Sequence, residues 1–151
     1  MMSLETQIEE LEKMRTRWLC ANLTGFILWD GFRIIDGHLT EQGVAAHFQI
    51  ILWLGWLIWI LSFIQLIRLG FKVKKVKQAS QILNDELVEF NRFKSWRLAL
   101  VVTVLTQAVI ITLSAFSFNI SGVLSAEISI FTAVTVALSA FIYYDTDIAN
   151  G

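Results

Sequence analysis

The sequence predicts an all-α integral membrane protein. We expect a bundle of four transmembrane helices, with an amphipathic N-terminal helix and a cytoplasmic helical hairpin that extends the second and third spans. Hydrophobic residues make up 56% of the 151 residues and charged residues only 17%, against about 25% in soluble domains. Residues 44–67 contain no Asp, Glu, Lys or Arg, and about 20 apolar residues are enough to cross the hydrocarbon core of a bilayer.

The N-terminal segment is predicted to form an amphipathic helix that leads into the first span. Over residues 3–17, apolar residues recur at helical spacing among charged ones, which is typical of a helix with one apolar face. The first span follows at about residues 18–35. It is the most polar of the four spans, because it contains Asp30 and Arg33.

The other three spans are predicted at about residues 44–67, 98–118 and 123–144. Residues 68–97 join the second span to the third, and their apolar positions continue a helical stripe on both sides of an expected turn near residues 79–84. We therefore expect a helical loop there, and a single transmembrane domain over residues 1–151.

The basic residues predict the orientation of the spans. Three Lys or Arg residues precede the first span and eight lie between the second and the third, whereas Arg33 alone lies near the other side. The positive-inside rule then predicts that both termini and residues 68–97 lie in the cytoplasm, at a bacterial inner membrane. Anionic lipid headgroups, which attract each nearby cation by about 1 kcal/mol, are expected to contact Lys72, Lys74, Lys75 and Lys77.

Four polar residues inside the spans are candidate functional residues: Asp30, Arg33, His47 and Glu127. Asp30 and Arg33 share a helix face and can pair near the outer surface. The alternative is that both meet Glu127 and hold an ion or an anionic ligand. Glu127 is expected to contact lipid headgroups or a partner protein. The alternative is that Glu127 itself acts as a proton-coupling acid. His47 is expected to form a hydrogen bond at a helix interface rather than to bind haem.

Small residues on the fourth span predict how the helices pack. A stripe of them is expected to pack against a polar stripe on the third span that includes Thr103 and Gln107, because small side chains let helices approach closely in a membrane. A hydrophilic pore lining is the alternative. The stripe on the fourth span consists of Ser125, Ser129, Thr132 and Ser139.

An aromatic stripe on the second span is the predicted partner surface. Tryptophan usually prefers the membrane interface, so its recurrence near the centre of a span indicates contact with the bundle or with a neighbouring subunit. A wall for a lipophilic cofactor such as a quinone, or contact with lipid, are the alternatives. The stripe consists of Trp53, Trp56, Trp59 and Phe63.

The composition excludes several classes of function. Cys20 is the single cysteine, which excludes an internal disulfide, and with two histidines it excludes a zinc site built from cysteine and histidine. The net charge of −1 indicates no nucleic-acid partner. We find no motif for an enzyme, a metal or a cofactor. The expected role is structural, as a homo-oligomer or an accessory subunit of a larger membrane complex. The alternatives are a small oligomeric ion channel or transporter that uses Asp30, Arg33 and Glu127, or a quinone-binding subunit.

Overall fold

The computed structural model describes residues 4–39, 46–75, 86–116 and 120–148, and in these ranges the chain is almost entirely helical, with no strand. Helix α1 (Leu4–Phe26) continues through a π-helical segment (Ile27–Gly31) into α2 (Phe32–Leu39). Helices α3 (Ala46–Lys75), α4 (Glu86–Ala115) and α5 (Gly122–Ile148) follow. The predicted all-helical class is confirmed.

Three stretches are long and apolar enough to cross a membrane: Gln49–Val73 in α3, Val88–Ala115 in α4 and Gly122–Thr146 in α5. The first predicted span, residues 18–35, is not among the stretches found in the described part of the chain. It lies across α1, the π segment and α2, and it includes two charged side chains, so no one helix there is both long and apolar enough. The structure is thus compatible with a multi-pass membrane protein with three candidate spans.

The continuous helical rod 4–39 lies between two other helices. Helix α3 packs along α1, the π segment and α2. Helix α5 packs against the same rod, and α4 packs mainly against α5. Helix α3 extends beyond residue 67 to Lys75, and α4 begins at Glu86, well before residue 98. These two helices were predicted as arms of one hairpin, yet they pack on different partners. The predicted turn near residues 79–84 lies outside the described ranges.

The rod and α3 cross at two glycines, where their backbones touch. A Cβ atom added at Gly25 would lie 2.6 Å from the backbone nitrogen of Trp59, and one added at Gly55 would lie 2.7 Å from that of Trp29. Beside this crossing, the buried amide of Asn22 donates to the Trp59 carbonyl at 3.3 Å and to Ser62 Oγ at 3.1 Å. Small residues at a helix crossing permit this close approach.

Helices α4 and α5 are joined by a polar contact near the start of α5. Ser125 Oγ donates to Gln107 Oε1 at 3.2 Å, and Gln107 Nε2 donates back to the Ser125 carbonyl at 3.3 Å and to Ser129 Oγ. Ser129 Oγ in turn donates to the Ser125 carbonyl at 2.6 Å. These bonds satisfy the Gln107 amide, which would otherwise be costly to place among apolar side chains.

The opposite end of the structure contains a second set of polar contacts, and we call it the Arg15 end. Arg15 Nη2 donates to both carboxylate oxygens of Asp145, at 2.7 and 2.6 Å. Nearby, the buried Asn91 amide donates to the Tyr144 carbonyl at 3.2 Å, and Lys94 Nζ lies 4.5 Å from the centroid of the Tyr144 ring. The first described helix is therefore joined to the last one here.

Candidate functional site

Asp30, Arg33 and Glu127 meet at the end of the structure opposite Arg15. Arg33 Nε and Nη2 donate to Asp30 Oδ1 at 2.9 and 2.8 Å. Arg33 Nη1 donates to Glu127 Oε1 at 2.6 Å. We call these three residues the Arg33 cluster. Of the two arrangements considered from the sequence, a local pair or a group of three, the structure has the group of three.

Burial in the Arg33 cluster increases from the guanidinium to the carboxylates. The side chain of Arg33 is 43% exposed, that of Glu127 is 19% exposed and that of Asp30 is 6% exposed. A carboxylate as buried as Asp30 needs a charged or hydrogen-bonding partner, because an unpaired buried charge is strongly destabilising. The guanidinium therefore stabilises both acids and holds the π segment to α5.

The π segment contributes Asp30 to the cluster. A π turn contains one residue more than an α turn. The side chains after it therefore point in different directions around the helix axis from those that a continuous α-helix would give. Before this segment, Gly25 faces α3; after it, Arg33 reaches α5. Such single π turns inside α-helices often occur at functional sites.

A layer of aromatic rings lies directly beside the cluster. The Phe26 ring stacks on Phe131 with centroids 5.9 Å apart, and the rings of Trp29 and Trp59 stack at 5.1 Å. Phe26 also approaches Trp59 to 6.3 Å. The layer joins the rod, α3 and α5, and it places apolar surface next to the charges. Hydrogen bonds between charged groups are stronger in such low-dielectric surroundings.

A cavity of about 550 Å³ opens beside the cluster, between α2 and the first half of α3. We call it the Arg33 cavity. Each side of the cavity carries both indole rings and polar side chains, and the volume is in the range of small-molecule sites. Its lining consists of Trp29, Arg33, Asp36, Gln49, Leu52, Trp53 and Trp56.

The predicted aromatic stripe of α3 is divided between two surroundings. Trp53 and Trp56 line the Arg33 cavity, and Trp53 is 68% exposed. Trp59 instead stacks on Trp29 and Phe26 inside the protein, while Phe63 is 53% exposed. Only part of the stripe is thus available to a partner. Trp59 faces inward because its backbone lies at the crossing with Gly25.

The predicted packing residues of α5 also have different surroundings. Ser125 and Ser129 contact Gln107 of α4, as described above. Thr132 is half-buried, whereas Ser139 is exposed. Glu127 and Phe131 lie on the other face of α5 and contact the rod. The polar contact between α4 and α5 is therefore local to the start of α5, with apolar packing further along.

The remaining candidate residues are described only in part. His47 belongs to α3, but its side chain lies outside the described residues. Lys72 lines a second cavity at the Arg15 end. Lys74 and Lys75 end α3 with side chains that are not described, and Lys77 lies outside the described ranges. Within those ranges, no group of three or more His, Cys, Asp and Glu residues is arranged to hold a metal ion.

Several residues that shape the site were not predicted from the sequence. Gly25 and Gly55 set the crossing of the rod and α3, and glycines inside two apolar helices were the signal that could have indicated it. The asparagine at position 22, within the first apolar segment, was a second signal, since the structure buries its amide against Ser62. The pairing of Arg15 with Asp145 had no local signal, because the two residues are far apart in sequence.

Comparison with known proteins identifies no relative. No family model matches the chain, no curated protein is significantly similar in sequence, and no solved structure is significantly similar in fold.

Proposed function

We propose that this chain is a multi-pass protein of the bacterial inner membrane with a structural or interaction role, as a homo-oligomer or as an accessory subunit of a larger membrane complex. One observation carries the proposal. Charged residues of the rod and of α5 form ion pairs with one another, through Arg33 with Glu127 at one end and Arg15 with Asp145 at the other. This use of the charges favours a structural role over catalysis.

The same contacts support four spans rather than three. The charge of Asp30 is compensated by Arg33, which lowers the cost of placing this part of the rod in a membrane. As a helix, the stretch from Arg15 to Arg33 covers about 27 Å, close to the hydrocarbon thickness of about 30 Å. We therefore propose that residues 18–35 form the first span, with one set of ion pairs at each membrane surface.

The orientation follows from the Lys and Arg residues concentrated at the Arg15 end. Under the positive-inside rule this end faces the cytoplasm, with both termini. In a Cys20→Ser background, cysteines introduced at Ser3 and Asn150 should resist a membrane-impermeant maleimide in intact cells, whereas one at His38 should react. Labelling at Ser3 but not at His38 would contradict the orientation.

The exposed apolar residues of α3 are the proposed partner surface. Trp53 and Phe63 are largely exposed, and large aromatic side chains dominate the binding energy of many interfaces. Native mass spectrometry of protein purified in mild detergent should show an assembly larger than a monomer. The variant W53A/F63A should dissociate it, whereas L100A/L105A, an equally exposed apolar pair on α4, should not. A wild-type monomer without any partner would contradict the proposal.

A second candidate function is ion transport through the Arg33 cluster. The observation that favours it is the convergence of Asp30, Arg33 and Glu127 beside a cavity of about 550 Å³, since membrane-embedded carboxylates often serve ion pathways. Purified protein in liposomes should then show ion flux that E127Q and D30N reduce. Absence of flux, or flux unchanged in both variants, would exclude this function.

The indole rings of the same cavity favour a third candidate, a subunit that binds a lipophilic cofactor such as a quinone. Trp29, Trp53 and Trp56 offer flat apolar surface, and Gln49 and Arg33 offer hydrogen-bond donors for carbonyl oxygens. An absorbance spectrum and a solvent extract of natively purified protein test this directly. A colourless protein whose extract contains only phospholipid would exclude it.

A further inference from the structure

A second cavity, of about 300 Å³, lies at the Arg15 end between α1 and α3. Helix α1 contributes two side chains that are four residues apart, and α3 contributes four that share one helix face. The lining consists of Met14, Trp18, Gln65, Arg68, Leu69 and Lys72.

The chemistry of this cavity differs from that of the Arg33 cavity. Among the described residues, the two charged side chains that line it, Arg68 and Lys72, are both cations, and none of the lining residues is a carboxylate. Both side chains are exposed, and neither forms an ion pair with any residue in the described ranges. By contrast, Asp36 lines the Arg33 cavity, and two carboxylates already bind Arg33. The cavity between α1 and α3 is therefore suited to an anion.

The apolar part of the lining indicates an amphiphile rather than a small soluble anion. Leu69 is buried and Met14 and Trp18 are half-buried, so they form an apolar wall beside the two cations. One helical turn before Gln65 and Arg68, the exposed side chains of Leu61 and Ile64 continue the same face of α3. A hydrocarbon chain leaving the cavity would lie along these two residues.

We infer that this cavity binds the headgroup of an anionic phospholipid. Arg68 and Lys72 bind the phosphate, Gln65 donates to the glycerol or phosphate oxygens, and Trp18 contacts the ester region, where indole rings are favoured. This inference rests on the proposed membrane location and goes beyond it, because it specifies one bound lipid with defined contacts. General attraction of the loop lysines to a charged surface would not require a cavity.

Native mass spectrometry of the delipidated full-length protein in detergent tests the inference. Phosphatidylglycerol should bind as one preferred lipid, ahead of phosphatidylethanolamine with the same acyl chains. The variant R68Q/K72Q should weaken phosphatidylglycerol binding about 30-fold, since each cation near an anionic lipid contributes about fivefold. R92Q/R97Q removes the same charge from exposed positions on α4, and it should change binding less than about threefold.

Several outcomes would overturn the inference. Equal losses in the two double variants would indicate general surface charge, and equal binding of both lipids would indicate an unselective groove. The charge-retaining variant R68K/K72R should keep most of the affinity, and failure of this rescue would count against the two cations as phosphate ligands. Displacement of the lipid by millimolar glycerol 3-phosphate or inorganic phosphate would assign the cavity to a soluble anion instead.

The inference can fail separately from the proposed function. If the protein remains in the membrane fraction after alkaline carbonate washing but shows no lipid preference, only the lipid site is wrong. If carbonate releases the protein, the membrane location is wrong as well.

Discussion

Substituting Gly55 by alanine should push α3 away from the rod and destabilise the contact between them. The added Cβ would lie 2.7 Å from the backbone nitrogen of Trp29 and 2.9 Å from Leu28 Cβ. Non-bonded heavy atoms are most stable at about 3.5–4.0 Å, so the two helices must move apart by about 0.8 Å or more. The clash involves backbone atoms, which cannot turn aside as a flexible side chain can.

The magnitude follows from the contacts that this displacement weakens. Overpacking a close helix contact costs about 1–3 kcal/mol. The two hydrogen bonds that the Asn22 side chain donates are already 3.1 and 3.3 Å long. The displacement would stretch them beyond hydrogen-bond range, which costs about 1 kcal/mol for each bond lost. The stacking of Trp29 on Trp59 at 5.1 Å would weaken as well. We expect G55A to lower the free energy of unfolding by about 2–4 kcal/mol.

The assay is reversible unfolding in mixed micelles of dodecyl maltoside and sodium dodecyl sulfate, followed by circular dichroism. Gly70 provides the matched control because it lies on the same helix, and outside its own helical turn no atom of the described residues lies within 4 Å of an added Cβ. G70A should be neutral or stabilise the helix by about 0.5–1 kcal/mol, as expected for replacing a helical glycine. Equal stability of G55A and G70A would refute the close-contact reasoning.

Two further predictions concern the ion pairs. R33M should cost about 3–5 kcal/mol because it leaves Asp30 buried without its guanidinium, whereas E127Q should cost only about 1 kcal/mol. Adding D30N to R33M should recover part of the stability, and a double variant as unstable as R33M alone would contradict this in the same unfolding assay. For Arg15 and Asp145, whose side chains are 18% and 9% exposed, a double-mutant cycle should give a coupling energy of about 1–2 kcal/mol; additive losses would show that the pair contributes nothing.

Local patterns in the sequence predicted part of the Arg33 cluster. The spacing of Asp30 and Arg33 predicted that they could pair, because residues three apart share a helix face. The position of Glu127 on the face of α5 opposite the serines was also predicted from helical periodicity. That these two surfaces meet was only one of two open alternatives, since periodicity gives the direction of a side chain and not its partner helix.

Helical periodicity did not predict the different surroundings of the residues in the aromatic stripe of α3. Trp53, Trp56 and Trp59 are three residues apart, so the stripe drifts around the helix by about 60° at each step, but the sequence did not indicate which of these directions faces the rod. In the structure Trp59 stacks inside the protein while Trp53 remains exposed. The rod contacts the face of α3 that carries Gly55 and Trp59, which are four residues apart, whereas Trp53 lies on another face of the helix, beside a cavity.

The sequence by itself determined the helical class and the long apolar segments, because composition and periodicity are local properties that directly reflect the solvent around each helix. It also determined where the charges lie along the chain. Only the tertiary structure decided the order in which the helices pack, the π segment at Asp30, and the pairing of Arg33 with Glu127 and of Arg15 with Asp145. These features depend on how closely two backbones can approach, and residues far apart in sequence decide that together.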